Sequence, residues 1–251
     1  MYQGIFFDLS GVLYSGHEAL PGAAEALALA RAGGVTVRFV TNTSRRTGNQ
    51  LVQDLAAIGL EIEPQALFTA PRAAHDWVVN HGLRPYCLIH DAIRSEFADL
   101  DQHAPNAVVV GDAAEGFSYA AMDRAFQLCH AGAPLIGIGR NRYFRLDDEL
   151  HLDAGAFVTA IEYAAGCEAV IIGKPSAAFF AQVLASTGLH VDQVLMVGDD
   201  VHGDVEGALA AGLGGCLVRT GKYEPGDEQR ISGEFQCVAS VTEAVELALS
   251  P

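Results

Sequence analysis

The chain has 251 residues, of which half are hydrophobic and only 18% are charged, so it has enough apolar material for a large buried core. Its formal charge of −16, from 31 acidic and 15 basic residues, repels phosphate backbones and argues against a nucleic-acid partner. An anionic substrate would therefore have to meet a local positive feature, such as a metal ion, a lysine or a helix N-terminus.

The hydrophobic segments are too short for membrane or export functions. None approaches the ~20 apolar residues that a membrane-spanning helix needs, and the apolar start of the chain ends at Asp8, too soon for a signal peptide. The 5 cysteines lack metal-like spacing and are expected to be small buried hydrophobes in a reducing compartment. We expect a cytoplasmic protein without a membrane partner, and a homodimer is compatible with the sequence.

The first part of the chain alternates short apolar runs with helical patterns. It predicts a strand at 4–8, a helix from Pro21 to a glycine pair at 33–34, a strand at 35–40 and a helix at 45–59. Strands that alternate with helices of this length indicate βαβ units and a mainly parallel sheet.

The middle of the chain, about 76–170, repeats the alternation. The predicted strands lie at 86–90, 106–111 and 134–139, the predicted helices lie at 118–132 and 154–166, and two short strands flank an acidic turn within 142–153. Beyond this segment, the predicted strands are 169–173, 193–198 and 215–219, separated by helices at 176–188 and 205–212.

These elements predict an α/β fold with two units. We expect a doubly wound, Rossmann-like parallel-sheet core formed by residues 1–75 and 171–251, and an inserted α/β cap domain at 76–170. The cap would close over the carboxyl ends of the core strands, where it would exclude water and select the substrate.

Polar residues follow four of the predicted strands, where ligands bind in open parallel sheets. The four clusters are Asp8 with Ser10, Thr41 with Asn42, Lys174 with Pro175, and Asp199 with Asp200 and Asp204. Together they supply a nucleophilic carboxylate, hydroxyl groups, an ammonium and a second set of carboxylates. This inventory fits phosphoryl transfer assisted by Mg²⁺, which prefers oxygen ligands and phosphate oxygens.

Four segments carry a family resemblance. FFDLSGVL, VTNTS, GKP and VGDDVHGD occur in this order and resemble the four motifs of the haloacid dehalogenase superfamily. The inserted segment lies between the second and third motifs, as in subfamily IIA, and LDAGAFVTAIEYA and RTGKY are similar to that subfamily too. The first motif most resembles the D-[IL]-S-G members, the group of phospholysine, phosphohistidine and inorganic pyrophosphate phosphatases and its hydrolase-domain relatives.

The resemblance implies a nucleophile and a metal site. Asp8 would attack phosphorus and form an aspartyl-phosphate, and it would also bind Mg²⁺ together with the backbone carbonyl of Ser10 and the carboxylate of Asp199. Asp204 would position the lysine or a metal-bound water. For Asp200, two interpretations stay open: it would belong to the site, or it would cap the following helix.

The resemblance also implies a phosphate-binding set. Thr41, the backbone around Asn42, and Lys174 would hold the phosphoryl group beside Ser10, and Lys174 would take part in catalysis. Ser10 departs from the family pattern, because most phosphatases of the superfamily have at this position an aspartate that protonates the leaving group and then activates water. A serine keeps the backbone carbonyl, but its hydroxyl does not titrate near neutral pH.

The sequence thus predicts a Mg²⁺-dependent phosphatase that acts on a small phosphorylated compound, a phosphoramidate or pyrophosphate. Two alternatives stay open. A catalytically weak phosphate-binding module is favoured by Ser10 and opposed by the complete set of nucleophile, lysine and metal acids. A dehalogenase would also use an aspartate nucleophile, but it would need no metal, whereas the acid-rich GDDVHGD segment favours a metal site.

Overall fold

A computed structural model describes residues 1–146 and 149–250, which form two compact α/β units. The strands are, in chain order, β1 (Gly4–Asp8), β2 (Tyr14–Ser15), β3 (Glu18–Ala19), β4 (Thr36–Thr41), β5 (Leu67–Thr69), β6 (Pro85–Leu88), β7 (Ala107–Val110), β8 (Leu135–Gly137), β9 (Tyr143–Leu146), β10 (Glu149–Leu152), β11 (Val170–Ile171), β12 (Val194–Gly198), β13 (Gly214–Val218) and β14 (Gln236–Val238). The α-helices are α1 (Ala23–Ala32), α2 (Gly48–Ala57), α3 (Ala70–Asn80), α4 (Tyr119–His130), α5 (Ala154–Ala165), α6 (Ala177–Ala185), α7 (Gly207–Ala210) and α8 (Val241–Leu249).

The first unit is built on a six-stranded sheet with the order β14-β13-β12-β1-β4-β5. It comprises Met1–Thr41, Gly48–Phe68 and the chain from Lys174 onward. β1 pairs in parallel with β4 on one side and with β12 on the other. The chain first adds β4 and β5 on one side of β1 and later adds β12, β13 and β14 on the other side. The strand order therefore reverses next to β1. In a doubly wound sheet, the carboxyl ends of the strands at such a reversal form the usual ligand-binding crevice.

β1 is apolar because both faces of the sheet are covered. All five of its residues are buried, and successive side chains point to opposite faces. Ile5 and Phe7 pack in one core with Leu27 of α1 and Val245 of α8. The strand therefore reads as a continuous apolar run that ends in one buried acid, Asp8.

The second unit comprises Asn42–Thr47 and Thr69–Gly173 and has its own four-stranded parallel sheet, in the order β11-β8-β7-β6. Val108 and Val110 of β7 pack in its core with Val158 of α5. β9 and β10 form a separate antiparallel hairpin. The acidic turn predicted between them falls partly on 147–148, outside the described residues.

The observed elements correct the sequence prediction at several points. β11, predicted along with the strands of the core, pairs instead with β8 in the second sheet, because a short apolar run does not specify its partner strand. The predicted helix at 205–212 is a π-helical turn, Val201–Glu206, followed by the short helix α7. The sequence analysis does not predict β5, α3, β14 or α8.

The limits of the two units differ from the predicted domain limits by a few residues. The predicted boundary after residue 75 falls inside α3, whereas the second unit begins its main segment at Thr69 and ends at Gly173. The assignment of one unit as hydrolase core and the other as cap stays a prediction. Among the described residues, no helix has both the length and the apolar character that a bilayer crossing requires.

The packing of β1 leads to a stability prediction. Phe7 is fully buried and stacks on Phe39 of β4 with ring centroids 6.3 Å apart. We expect Phe7→Ala to lower the free energy of unfolding by about 3–5 kcal/mol, because it leaves a cavity in the core. Leu29→Ala, at a position of α1 that is 39% exposed, is the control and should cost less than about 1 kcal/mol. Urea unfolding measures both, and equal losses would contradict the central position of β1.

Candidate active site

The site begins at the carboxyl ends of two adjacent strands. Asp8 is the last residue of β1, and Asp199 follows directly after β12, the strand that pairs with β1. Both carboxylates are buried: Asp8 is 7% exposed and Asp199 is 2% exposed. The parallel pairing thus brings together two acids that are far apart in the sequence.

Lys174 supplies a buried positive charge between two acids. Its Nζ donates hydrogen bonds to Asp8 Oδ1 at 2.5 Å and to Asp204 Oδ1 at 2.6 Å. Burial alone would lower the pKa of Lys174, but the carboxylates of Asp204 and Asp8 outweigh burial and raise it. The lysine is therefore a permanent cation that fixes the orientation of both carboxylates.

Three carboxylates share this one buried ammonium. Asp8, Asp199 and Asp204 each offer an oxygen that lies within 4.8 Å of the oxygens of the other two. Burial, followed by the charges of Asp8 and Asp204, raises the pKa of Asp199 well above its ordinary value. Burial also raises the pKa of Asp204 to about 6, although Lys174 opposes the shift. The donor set is hard, anionic and short of positive charge, which fits a divalent cation with oxygen ligands.

Asp200 shapes the turn that carries Asp204. Its Oδ1 accepts hydrogen bonds from the backbone N–H groups of His202 at 3.1 Å and Gly203 at 2.8 Å, so Asp200 caps the π-helical turn after β12. Its own N–H donates to Asp204 Oδ2 at 3.1 Å. Burial would raise the pKa of Asp200, but Lys222 and the Gly203 N–H lower it. The capping alternative for Asp200 is thus observed, and the cap holds Asp204 in place.

A loop that was not predicted to be functional also reaches the site. Lys222 N–H donates to Asp199 Oδ2 at 2.7 Å, and Thr220 Oγ donates to the carbonyl of Gly11 at 2.5 Å. Lys222 Nζ lies 3.3 Å from Asp200 Oδ2. This loop follows β13, a strand of the same sheet, so the rule that located the four clusters applies to RTGK as well.

The remaining predicted site residues occupy different places. Ser10 is exposed in the loop after β1, where its backbone bridges to Tyr14. Thr41 is buried as the last residue of β4, the other neighbour of β1. Asn42 belongs to the second unit, where a Cβ placed on Gly173 would lie 2.5 Å from Asn42 Oδ1. Within the first unit, the structure therefore brings together Asp8, Lys174, Asp199 and Asp204, with Asp200 adjacent to them. The roles predicted for these residues stay predictions.

Comparison with known proteins identifies the family to which this chain belongs. A family model described as haloacid dehalogenase-like hydrolase matches residues 5–103, and a HAD-hydrolase-like model matches residues 171–244. The phospholysine phosphohistidine inorganic pyrophosphate phosphatase of Rattus norvegicus is 43% identical, over 98% of this chain and 94% of the relative. Haloacid dehalogenase-like hydrolase domain-containing protein 2 of Rattus norvegicus is 41% identical, over 92% of this chain and 89% of the relative.

A solved structure supports the same fold. The 4-nitrophenylphosphatase from Thermotoga maritima superposes with a TM-score of 0.89 at 23% identity, and the match covers 98% of this chain and 97% of that chain. The predicted α/β class with a doubly wound core is confirmed, and so is the resemblance inferred from the four motifs. Because relatives above 40% identity align with nearly the whole chain, this protein belongs to the haloacid dehalogenase-like hydrolases.

Proposed function

We propose that this chain is a Mg²⁺-dependent phosphatase that works through an aspartyl-phosphate on a small phosphorylated compound, a phosphoramidate or pyrophosphate. The observation that carries the proposal is the buried cluster of Asp8, Lys174, Asp199 and Asp204 at the carboxyl edge of the six-stranded sheet. The name of one relative, the phospholysine phosphohistidine inorganic pyrophosphate phosphatase of Rattus norvegicus, supports the substrate class.

Asp8 is the nucleophile in this proposal. Lys174 holds Asp8 Oδ1, so the attack on phosphorus would come from Oδ2. A bond between Oδ2 and phosphorus forms while the bond from phosphorus to the leaving group breaks. Water then attacks the same phosphorus, which releases inorganic phosphate and restores the Asp8 carboxylate. The Lys174 ammonium stabilises the negative charge that develops on the phosphoryl oxygens.

Asp8, Asp199 and the backbone carbonyl of Ser10 would hold the metal ion. When bound, Mg²⁺ would supply Lewis-acid stabilisation of the phosphate charge. Asp204 does not need to bind the metal in this scheme, because its Oδ1 accepts the Lys174 hydrogen bond and its Oδ2 accepts the Asp200 N–H. It acts as the residue that positions Lys174.

The phosphoryl oxygens would be held by Lys174, by Thr41 and by the backbone around Asn42, next to Ser10. Thr41 supports this assignment because it ends β4, the strand that pairs with β1 on the side opposite β12. The second unit would act as the cap that selects the substrate.

A catalytically weak phosphate-binding module is the second candidate, and one observation favours it: position 10 carries a serine instead of an acid. Turnover of p-nitrophenyl phosphate with and without Mg²⁺ separates the two. Mg²⁺-dependent turnover supports the phosphatase, phosphate binding without turnover supports the module, and turnover that survives EDTA contradicts the metal requirement.

The first functional prediction concerns the nucleophile. Asp8→Asn keeps the shape of the side chain but removes the attacking carboxylate, so kcat should fall by at least about 10³-fold. Asp54→Asn, at a partly exposed position of α2, is the matched control and should keep full activity. Steady-state assays with p-nitrophenyl phosphate measure both variants. An Asp8→Asn enzyme that is folded and retains a tenth of the activity would exclude the aspartyl-phosphate.

The second prediction concerns the metal site. Because the pKa of Asp199 is raised, its ionised form weakens the fold at neutral pH when no cation is bound. In EDTA at pH 8, Asp199→Asn should therefore melt about 2–4 °C above wild type. Excess Mg²⁺ should raise the melting temperature of wild type but not that of the variant.

The difference in melting temperature between Asp199→Asn and wild type should depend on pH, with a sign that follows from the raised pKa of Asp199. The folded state of wild type binds the Asp199 proton more tightly than the unfolded chain does, so the penalty is absent at low pH and grows as the pH rises. The advantage of Asp199→Asn in EDTA should therefore shrink as the pH falls towards about 4. Differential scanning fluorimetry across pH measures it. An equal Mg²⁺ response in both proteins would remove Asp199 from the ligand set.

The third prediction concerns Ser10. Without an acid at this position, the leaving group departs largely unaided, so wild type should cleave nitrophenyl phosphate and phosphoramidates much faster than alkyl phosphates. Ser10→Asp restores an acid and base and should raise the ratio of alkyl to nitrophenyl turnover by about tenfold or more.

Ser10→Ala is the control for this experiment, because it keeps the backbone carbonyl and should keep the wild-type ratio. The ratio is measured as kcat/KM for the two esters under saturating Mg²⁺. Equal rates of wild type on alkyl and nitrophenyl esters, with chemistry limiting both, would refute this account of position 10.

A further inference from the structure

The loop Thr220–Lys222 touches both chain segments that carry the proposed metal ligands. We propose that Thr220 is a positioning residue of the metal site: its hydroxyl holds the carbonyl of Gly11, one residue after the Ser10 carbonyl, and its loop fixes Asp199. This inference rests on the proposed function, because it takes Ser10 and Asp199 as ligands of the cation. It assigns to RTGK a role that none of the four motifs covers.

The first contact fixes the backbone next to Ser10. Thr220 Oγ donates to the Gly11 carbonyl at 2.5 Å, and the N–H of Gly11 donates to the Tyr14 carbonyl at 2.7 Å. Gly11 has φ 87°, in the left-handed region that glycine enters without strain. Glycine also has the greatest backbone freedom, so one hydrogen bond on the N–H of Gly11 and one on its carbonyl limit the rotation of the backbone next to the Ser10 carbonyl.

The second contact fixes the carboxylate. Asp199 Oδ2 accepts the N–H of Lys222 at 2.7 Å. A Cβ on either Gly11 or Gly221 would overlap Asp199 Oδ2, so both backbones pack directly against this oxygen. The loop therefore lies between the two ligand-bearing segments and sets their spacing.

Thr220 is the residue that links the two contacts. Its side chain is bonded to the segment after β1, while its backbone leads through Gly221 into the N–H that holds Asp199. Loss of the hydroxyl should free the Gly11 carbonyl and loosen the backbone that follows Ser10, without removing any metal ligand. The expected result is weaker metal binding with an unchanged chemical step once the metal is bound.

The test is calorimetric titration of Mg²⁺ into the substrate-free protein. Thr220→Val keeps the shape of the side chain and removes the donor, so the dissociation constant for Mg²⁺ should rise about tenfold. Thr220→Ser keeps the donor and should stay within about threefold of wild type. In turnover assays, Thr220→Val should need about tenfold more Mg²⁺ for half-maximal activity, and its kcat at saturating Mg²⁺ should return to near the wild-type value.

The chain offers a matched control. Thr242, in α8, donates its hydroxyl to the carbonyl of Gly22 at 3.4 Å, in another part of the first unit. Thr242→Val removes a hydrogen bond of the same type and should leave Mg²⁺ binding unchanged. If Thr220→Val does not fold, Thr220→Ala replaces it with the same expectation.

The outcomes separate this inference from the proposed function. Wild-type affinity in Thr220→Val, or an equal loss in Thr220→Ser, would overturn the role of the hydroxyl and leave the phosphatase intact. An equal loss in Thr242→Val would also overturn it, since the effect would then be general to the fold. Wild type that binds no Mg²⁺ would overturn the metal site of the proposed function, and this inference with it.

Discussion

The structure of the site depends on one buried interaction, the ammonium of Lys174 between the carboxylates of Asp8 and Asp204. It joins residues that are 166 and 30 positions apart in the chain. Taking such charges out of water is expensive, and their mutual attraction offsets that cost only when the geometry is well satisfied. Here the second oxygen of Asp204 also accepts a hydrogen bond, from the Asp200 N–H, so both oxygens of this carboxylate are held in place.

The charge balance of the cluster is suited to the binding of a cation. One ammonium does not neutralise Asp8, Asp199 and Asp204, and burial together with the neighbouring carboxylates raises the pKa values of the latter two. A fold selected for stability alone would have little reason to keep a third buried carboxylate there. A bound cation would remove the repulsion, so relief of this repulsion would favour metal binding. In a chain with a net charge of −16, it would also be the local positive feature that attracts a phosphate.

Most of this site could be predicted from the sequence, for a reason that the sheet makes plain. Asp8 ends one strand and Asp199 follows another, and the two strands pair in parallel, so the rule of carboxyl ends places these acids together. The same rule pointed to Lys174, but on a wrong strand assignment, because β11 lies in the other sheet; the ordered motifs pointed to this lysine independently. The π-helical turn that orients Asp204 has no periodic signature, since an apolar pattern does not distinguish it from the start of an α-helix. The loop at Thr220 obeys the rule and was missed because a threonine and a backbone N–H carry no charge pattern of their own.

The proposed mechanism gives position 10 two separable functions. In the proposed mechanism, a metal ion needs the carbonyl of this residue, and proton transfer needs its side chain. The structure anchors the backbone here on both sides of Gly11, through Tyr14 and Thr220, while the Ser10 residue is exposed. A serine therefore keeps the backbone carbonyl, whose role depends on fixed geometry. It loses the acid–base function, which depends on a side chain with an acidic pKa. Such a site is suited to substrates whose leaving groups need little protonation by the enzyme. Phosphoramidates that are already protonated and pyrophosphate bound to a metal both meet this condition, which ties the identity of residue 10 to the substrate class.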